Sequence, residues 1–141
     1  MQPSLSIQLP QLRFQHYLTL VALRTIEEGG ITSHPVTYTF LEPIDAWGFP
    51  QYPSKTVIVS PSSILLDAIQ AFIEQNMPYF LKPKVWFGTW IHPQTNACYL
   101  DITMSHENLD TARRLAQEAS AQEGRKIVAL YNSLRQQTIY L

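Results

Sequence analysis

Apolar and polar positions along this chain recur with two periods, and the switches between them predict three helices, each followed by a pair of strands. In QLRFQHYLTLVALRTIEEGG the residues Leu12, Tyr17, Leu20, Val21, Leu23 and Ile26 fall broadly along one helical side. Pro10 suits the opening turn, where its missing N–H would be unpaired anyway, and Gly29 suits a left-handed stop. Next, VTYTFLE alternates Val36, Tyr38 and Phe40 with Thr37 and Thr39, the period of a half-buried strand. Three prolines in EPIDAWGFPQYPS argue against a regular element there, and KTVIVS reads as a second short strand.

A second helix follows in SPSSILLDAIQAFIEQNM, with Ser60 as cap, Pro61 at the first helical position, and Leu65, Ala68, Ile69, Phe72 and Ile73 as its apolar stripe. The segment VWFGTWIHPQTNACYLDITMS reads as a central hairpin. A third helix, NLDTARRLAQEASAQEG, has Asn108 as cap, Gly124 as stop, and Leu109, Ala112, Leu115, Ala116 and Ala119 facing inward. KIVALY and QTIYL supply two last strands around SLRQ. The order α-ββ-α-ββ-α-ββ implies an α+β fold with a mainly antiparallel sheet covered by helices. Residues 1–9 read as a flexible arm and 10–141 as a single domain, without a residue-level repeat.

Side chains alternate across a strand, so the hairpin sorts into two faces. Val85, Phe87, Thr89 and Ile91 share one face with Cys98, Leu100, Ile102 and Met104, and that face is core. The other collects Trp86, Gly88, Trp90 and His92 with Ala97, Tyr99, Asp101 and Thr103. A four-residue turn at Pro93–Asn96 sets Trp90 opposite Tyr99, and Gly88 is expected to leave Asp101 open space beside the two indoles. This second face is either buried, under the first helix or a second copy of the chain, or a recognition surface of polar-tipped aromatics. Asp101 then needs hydrogen bonds from Thr103, from turn N–H groups, or from a partner. A companion surface is read in the loop 42–54, where Trp47, Phe49 and Tyr52 stand among Pro43, Pro50 and Pro53, against the alternative that its aromatics pin the loop to the core.

Composition narrows the function classes. The 141 residues are 45% hydrophobic and 15% charged, enough for one core and short of the usual charged fraction of about 25%. Residues 1–81 hold three basic and six acidic groups, and residues 82–141 seven and five, or −3 against +2. No strong field for a polyanion or an acidic membrane results. Cys98 is the only cysteine, which excludes an intrachain disulfide and fits a reducing, cytoplasmic setting. MQPSLSIQLPQLRF lacks a charged stretch followed by a long apolar run, and no apolar run has membrane-spanning length, so a protein neither secreted nor membrane-embedded is expected.

His16, His34, His92 and His106 are scattered, with no metal-ligand spacing and no phosphate loop or nucleophile motif, so no catalytic residue, metal or cofactor is assigned. A small hydrolase would have to assemble His92, Asp101 and His106, with Glu107, at the hairpin ends. A single-stranded nucleic-acid binder would stack bases on Trp86, Trp90 and Tyr99 and use Lys82, Lys84, Arg113 and Arg114 for phosphates, against which the charge balance argues.

The segment GTWIHPQTNACYLDITMSHENLDTARRLAQEA followed by KIVALYN resembles a group of small uncharacterised proteins of bacteriophages, prophages and other bacterial mobile elements. The pattern rests on Gly88, Trp90, Thr95, Tyr99, Leu100, Asp101, Ile102, Thr103, Ala112 and Leu115. NACY departs from it where a turn glycine is common, and the proline-aromatic loop is longer here. The resemblance carries no catalytic residue and implies an accessory protein that binds a macromolecule, such as an inhibitor of a host defence complex. The leading expectation is a non-catalytic protein-binding domain acting through Trp86, Trp90, Tyr99, Asp101 and Thr103, with Trp47, Phe49 and Tyr52 beside them; nucleic acid is the second reading, and no membrane is involved.

Overall fold

The structure, a computed structural model, describes residues 5–62 and 64–141. In chain order these form α1 (Leu5–Glu28), β1 (Gly30–His34), β2 (Thr39–Phe40), β3 (Trp47–Pro50), a 3-10 turn (Pro53–Lys55), β4 (Val57–Val59), α2 (Leu65–Phe80), β5 (Trp86–Ile91), β6 (Cys98–His106), α3 (Leu109–Glu123), β7 (Ala129–Asn132) and β8 (Gln137–Tyr140). The class is α+β: among the described residues, three helices pack on one antiparallel sheet of eight strands.

The strands run in the order β2-β1-β5-β6-β3-β7-β8, with β4 also on β6. The β5–β6 hairpin is the centre of the sheet. Its register pairs Trp86 with Thr103, Gly88 with Asp101 and Trp90 with Tyr99, the pairing that a four-residue turn requires. The His92 and Ala97 backbones close that turn, with His92 N donating to Ala97 O at 2.9 Å.

β3 and β4 continue one another along the second edge of β6. Pro50 stands opposite Thr103 and Val57 opposite Leu100, so six residues, Gln51 to Thr56, lie against only Asp101 and Ile102. The excess chain leaves the sheet and carries the 3-10 turn. Beyond β3 the sheet curls strongly. His92, just past β5, and Tyr140 in β8 have ring centroids 5.8 Å apart, although four strand spacings of a flat sheet would part them by about 19 Å.

The helices share one face of this sheet. Under α1 and α2 lie Val85, Phe87, Cys98, Leu100 and Ile102, packed with Tyr17, Leu18, Val21, Leu65, Ile69, Phe72, Ile73 and Phe80. Under α3 a second cluster joins Trp47, Phe49, Leu130 and Ile127 to Ala112 and Ala116. Two hydroxyl pairs tie α1 to the sheet: Tyr17 with Ser33 at 2.7 Å and Thr25 with Thr89 at 2.6 Å. Burial pushes the Tyr17 phenol well above its ordinary range, so it stays a neutral partner for Ser33.

Several expectations hold. Asn108 caps α3 by accepting from Thr111 N at 2.9 Å, and Gly29 and Gly124 stop their helices at φ of 82° and 68°. The inward stripes of α2 and α3 lie as expected, and Cys98 is fully buried.

Others need correction. α1 begins at Leu5, ahead of Pro10, so residues 5–9 are helical; residues 1–4 of the expected arm lie outside the described residues. Its inward face is Tyr17, Leu18, Val21 and Thr25, whereas Leu12, Leu23 and Ile26 are exposed. The expected strand at 36–42 reduces to Thr39–Phe40, because residues 35–38 turn the chain with Tyr38 at φ 59°. Its partner is β1, the segment GITSH directly after the helix stop. The helix expected from Ser60 and Pro61 starts at Leu65, with Ile64 at its cap position and no side-chain cap bond, and it continues through Pro78.

Candidate functional site

The sheet face opposite the helices carries the candidate surface. Trp86, Trp90, Tyr99, Asp101 and Thr103 are all half-buried there, and none of them belongs to either core cluster. By the strand pairings the same face holds Thr32 of β1, Ile58 of β4 and Tyr131 of β7. Ile58, Tyr131 and Tyr140 are exposed. Among the described residues no helix covers this face.

Its aromatics form a connected group. Trp90 lies 5.4 Å from Tyr99 and 5.0 Å from His92, centroid to centroid, and His92 in turn meets Tyr99 at 6.3 Å. Trp86 stands apart, edge-on to His34 at 5.6 Å. Such offset and edge contacts hold the rings in fixed relative orientations, and the curl of the sheet brings Tyr140 against His92 at the end of the group. His92 is therefore no solvated turn residue, as its place in the sequence suggests: it is buried, with Nδ1 accepting from Gln94 N at 3.1 Å.

Gly88 does not open a space for Asp101. Thr103 lies across its Cα, and a β-carbon at Gly88 would collide with the Thr103 hydroxyl. The sequence reading missed this because the diagonal neighbour, and not the directly opposed one, fills the gap.

Asp101 owes its environment to the six-residue excursion. Thr56, its last residue, donates its hydroxyl to Asp101 Oδ1 at 2.6 Å, and neither Thr103 nor the turn supplies the bond. Arg125, just past α3, donates to the Thr56 carbonyl at 2.6 Å and lies close enough to act on the carboxylate. Burial pushes the Asp101 carboxyl up to about 6, with the Thr56 hydroxyl and the Arg125 charge opposing it. A carboxylate tied to a loop in this way sets the position of the excursion relative to β6.

Of the two readings of the loop 42–54, Trp47 and Phe49 follow the one in which its aromatics pin the chain to the core. Trp47 and Phe49 are each 3% exposed and pack beneath α3, because WGFP is a strand whose odd positions face the core. Pro50 is tolerated at its end, and Pro53 is buried in the 3-10 turn. Tyr52 alone stays half-buried, 4.8 Å from Tyr79, with Lys82 above both rings.

The hydrolase constellation does not assemble. His106 pairs across to Trp47 on the core-facing side, its Nδ1 accepting from Asn108 N at 3.0 Å, while Asp101 belongs to the opposite face five positions along the same strand. Of the cations of the nucleic-acid reading, Lys84 stands just before β5, two residues from Trp86, whereas the other three are displaced from the rings. Arg113 and Arg114 ride on α3, on the helix side, where Arg114 pairs with Glu118 at 3.1 Å, and Lys82 is held over Tyr79. Among the described residues no helix is long and apolar enough to cross a membrane.

Comparison with protein families, curated proteins and solved structures yields no match to this chain.

Proposed function

We propose that this is a non-catalytic binding module that engages a protein partner through the open face of the β5–β6 hairpin. One observation carries the reading: among the described residues all three helices sit on one side of the sheet, while Trp86, Trp90 and Tyr99 remain half-buried on the other with no helix over them. Rigid aromatics with polar tips lose little entropy on binding and dominate interface energetics. Ile58, Tyr131 and Tyr140 extend the apolar surface around them. A protein partner is favoured over nucleic acid because the basic side chains of α3 point from the other side of the sheet and the net charge is −1. The resemblance of the hairpin and α3 to mobile-element proteins supports a host or element-encoded target, such as a defence complex, and a cytoplasmic site of action.

Affinity capture from the native host with the wild type and with Trp90→Ala tests the reading, with denaturant melts of both and of Phe87→Ala alongside. Trp90→Ala is expected to keep its fold and weaken capture about thirtyfold, or about 2 kcal/mol for a hot-spot tryptophan. Phe87→Ala, which empties a site walled by Phe72 and Phe80, is expected to lose about 3–5 kcal/mol of stability. If Trp90→Ala unfolds as readily as Phe87→Ala, the face is a second core layer and the reading fails. Recovery of nucleic acid whose binding weakens steeply with salt overturns it equally.

A further inference from the structure

The outward side of α1 carries a pattern that the fold does not use. Leu9, Leu12, His16, Thr19, Leu23 and Ile26 follow one another at intervals of three and four, the spacing of a and d positions in a heptad, and all six are exposed. Leu12 and Ile26 are each 58% exposed, which a solitary surface helix does not need. The inward side is already complete, with Tyr17, Leu18, Val21 and Thr25 buried against the sheet. α1 is thus apolar on two opposite sides, and only one of them meets its own chain.

We propose that this second side pairs α1 with α1 of a second copy of the chain, in antiparallel orientation. The six positions are self-complementary about a point between Tyr17 and Leu18. Leu9 then meets the other copy's Ile26, Leu12 meets its Leu23, and His16 meets Thr19, so apolar faces apolar and the polar pair lies at the centre. A polar layer among apolar ones fixes the register of such a seam. Charge selects the antiparallel sense. Arg13 flanks the seam near its start and Glu27 flanks it on the same side near its end, so an antiparallel pair brings them together, whereas a parallel pair would set them against the uncharged Gln8 and Ala22 of the other copy. Arg24 does not compete for these acids, since its guanidinium lies 4.2 Å above the Phe40 ring. Opposed helix dipoles favour the same sense.

The surface beside the seam is shaped for this. Leu12, Arg13, His16, Tyr17 and Leu20 form with Tyr38 and Phe40 a groove of about 280 Å³. In the antiparallel pair the two Leu20 side chains meet along this edge, between the two Arg13–Glu27 contacts, and fill the mouth of the groove.

Sedimentation equilibrium of the full chain is the first test. The wild type is expected to approach twice the 16.2 kDa of one chain as concentration rises, and Leu12→Glu with Leu23→Glu to remain at the single-chain mass with an unchanged circular-dichroism spectrum. Orientation is read by disulfide trapping, with buried Cys98 silent. Leu12→Cys mixed with Leu23→Cys should cross-link under mild oxidation. Leu12→Cys alone should not, because antiparallel pairing separates the two copies of position 12 by 11 residues, about 16 Å along the helix. A wild type that stays at the single-chain mass, a doubly charged variant that still dimerises, or rapid self-cross-linking of Leu12→Cys would each overturn the proposal.

Discussion

Replacing Asp101 by Asn isolates the cost of holding a carboxylate where the β3–β4 excursion leaves β6. The folded-state value of about 6 stands against an ordinary 3.8, and burial is the largest cause. In the unfolded chain this group loses its proton near pH 4; in the folded chain it keeps it until about pH 6. Between those values the folded state binds more protons, so stability must fall as pH rises. Each pH unit of difference is worth about 1.4 kcal/mol, which puts the total at about 3 kcal/mol, complete by about pH 7. Asn keeps an amide oxygen to accept from the Thr56 hydroxyl and carries no charge to desolvate. Asp101→Asn is therefore expected to show no such fall and to exceed the wild type by about 1–3 kcal/mol at pH 8, while the two lie within about 1 kcal/mol at pH 4.

Urea melts at half-unit steps from pH 4 to pH 8 give the comparison directly. Asp45 does not confuse it, since the hydrogen bonds from Arg135 and Asn132 hold its carboxyl below the usual range and its titration below the window. Arg125→Gln should steepen the wild-type fall, because it removes the cation that opposes the upward shift. Parallel pH profiles for the wild type and Asp101→Asn would refute the reasoning. So would an Asp101→Asn variant clearly weaker than the wild type at pH 8, which would mean that the bonds made by the charged form outweigh its burial.

Two more expectations follow from the same face and its underside. Gly88→Ala should cost about 1–3 kcal/mol, because the new methyl meets the Thr103 hydroxyl, and Thr103→Ala should recover most of that loss; additive effects in a double-mutant cycle would disprove the contact. Burial pushes the Cys98 thiol up to about 11, so alkylation at pH 8 should be slow in the folded protein and track global unfolding in denaturant, and prompt labelling in buffer would show the strand to be exposed.

The class of fold and the central register were legible because each rests on local rules. Alternation plus a four-residue turn sufficed to set Trp90 against Tyr99, and a side-chain cap with two stop glycines sufficed for the helix ends at Gly29, Asn108 and Gly124. What escaped was set by distant partners. GITSH has too little apolar alternation to announce a strand, and it becomes β1 because β5 offers it an edge and Tyr17 a partner for Ser33. WGFP sits among prolines, yet it is drawn into the sheet by β6 on one side and β7 on the other, with α3 over its two rings. The companion site was lost with that error, since aromatics in a stiff loop and aromatics in a short core strand look alike in sequence. Asp101 was singled out correctly as costly, but its donor, Thr56, is 45 residues away and comes beside it only through the excursion.

The misreading of α1 is the most instructive, because the sequence signal there is double. Leu12, Leu20, Leu23 and Ile26 looked like parts of one broad stripe with Tyr17 and Val21, yet a helix that buries Tyr17, Leu18, Val21 and Thr25 turns Leu12 and Leu23 nearly to the opposite side. Two stripes imply two contacts, and only one is made within the chain. The unused stripe faces away from the sheet, while the hairpin aromatics lie on the far side of the sheet from α1. The two surfaces can therefore be perturbed separately. Leu12→Glu with Leu23→Glu should change mass and leave the aromatic face intact, and Trp90→Ala should do the reverse. An antiparallel pair built on α1 would also leave both hairpin faces open, so a partner that presents two copies of its own site would be held by both at once. Loss of apparent affinity for such a partner in the α1 double variant, with an unchanged affinity for a single site, would follow from linkage of the two faces and not from any contact that α1 itself makes.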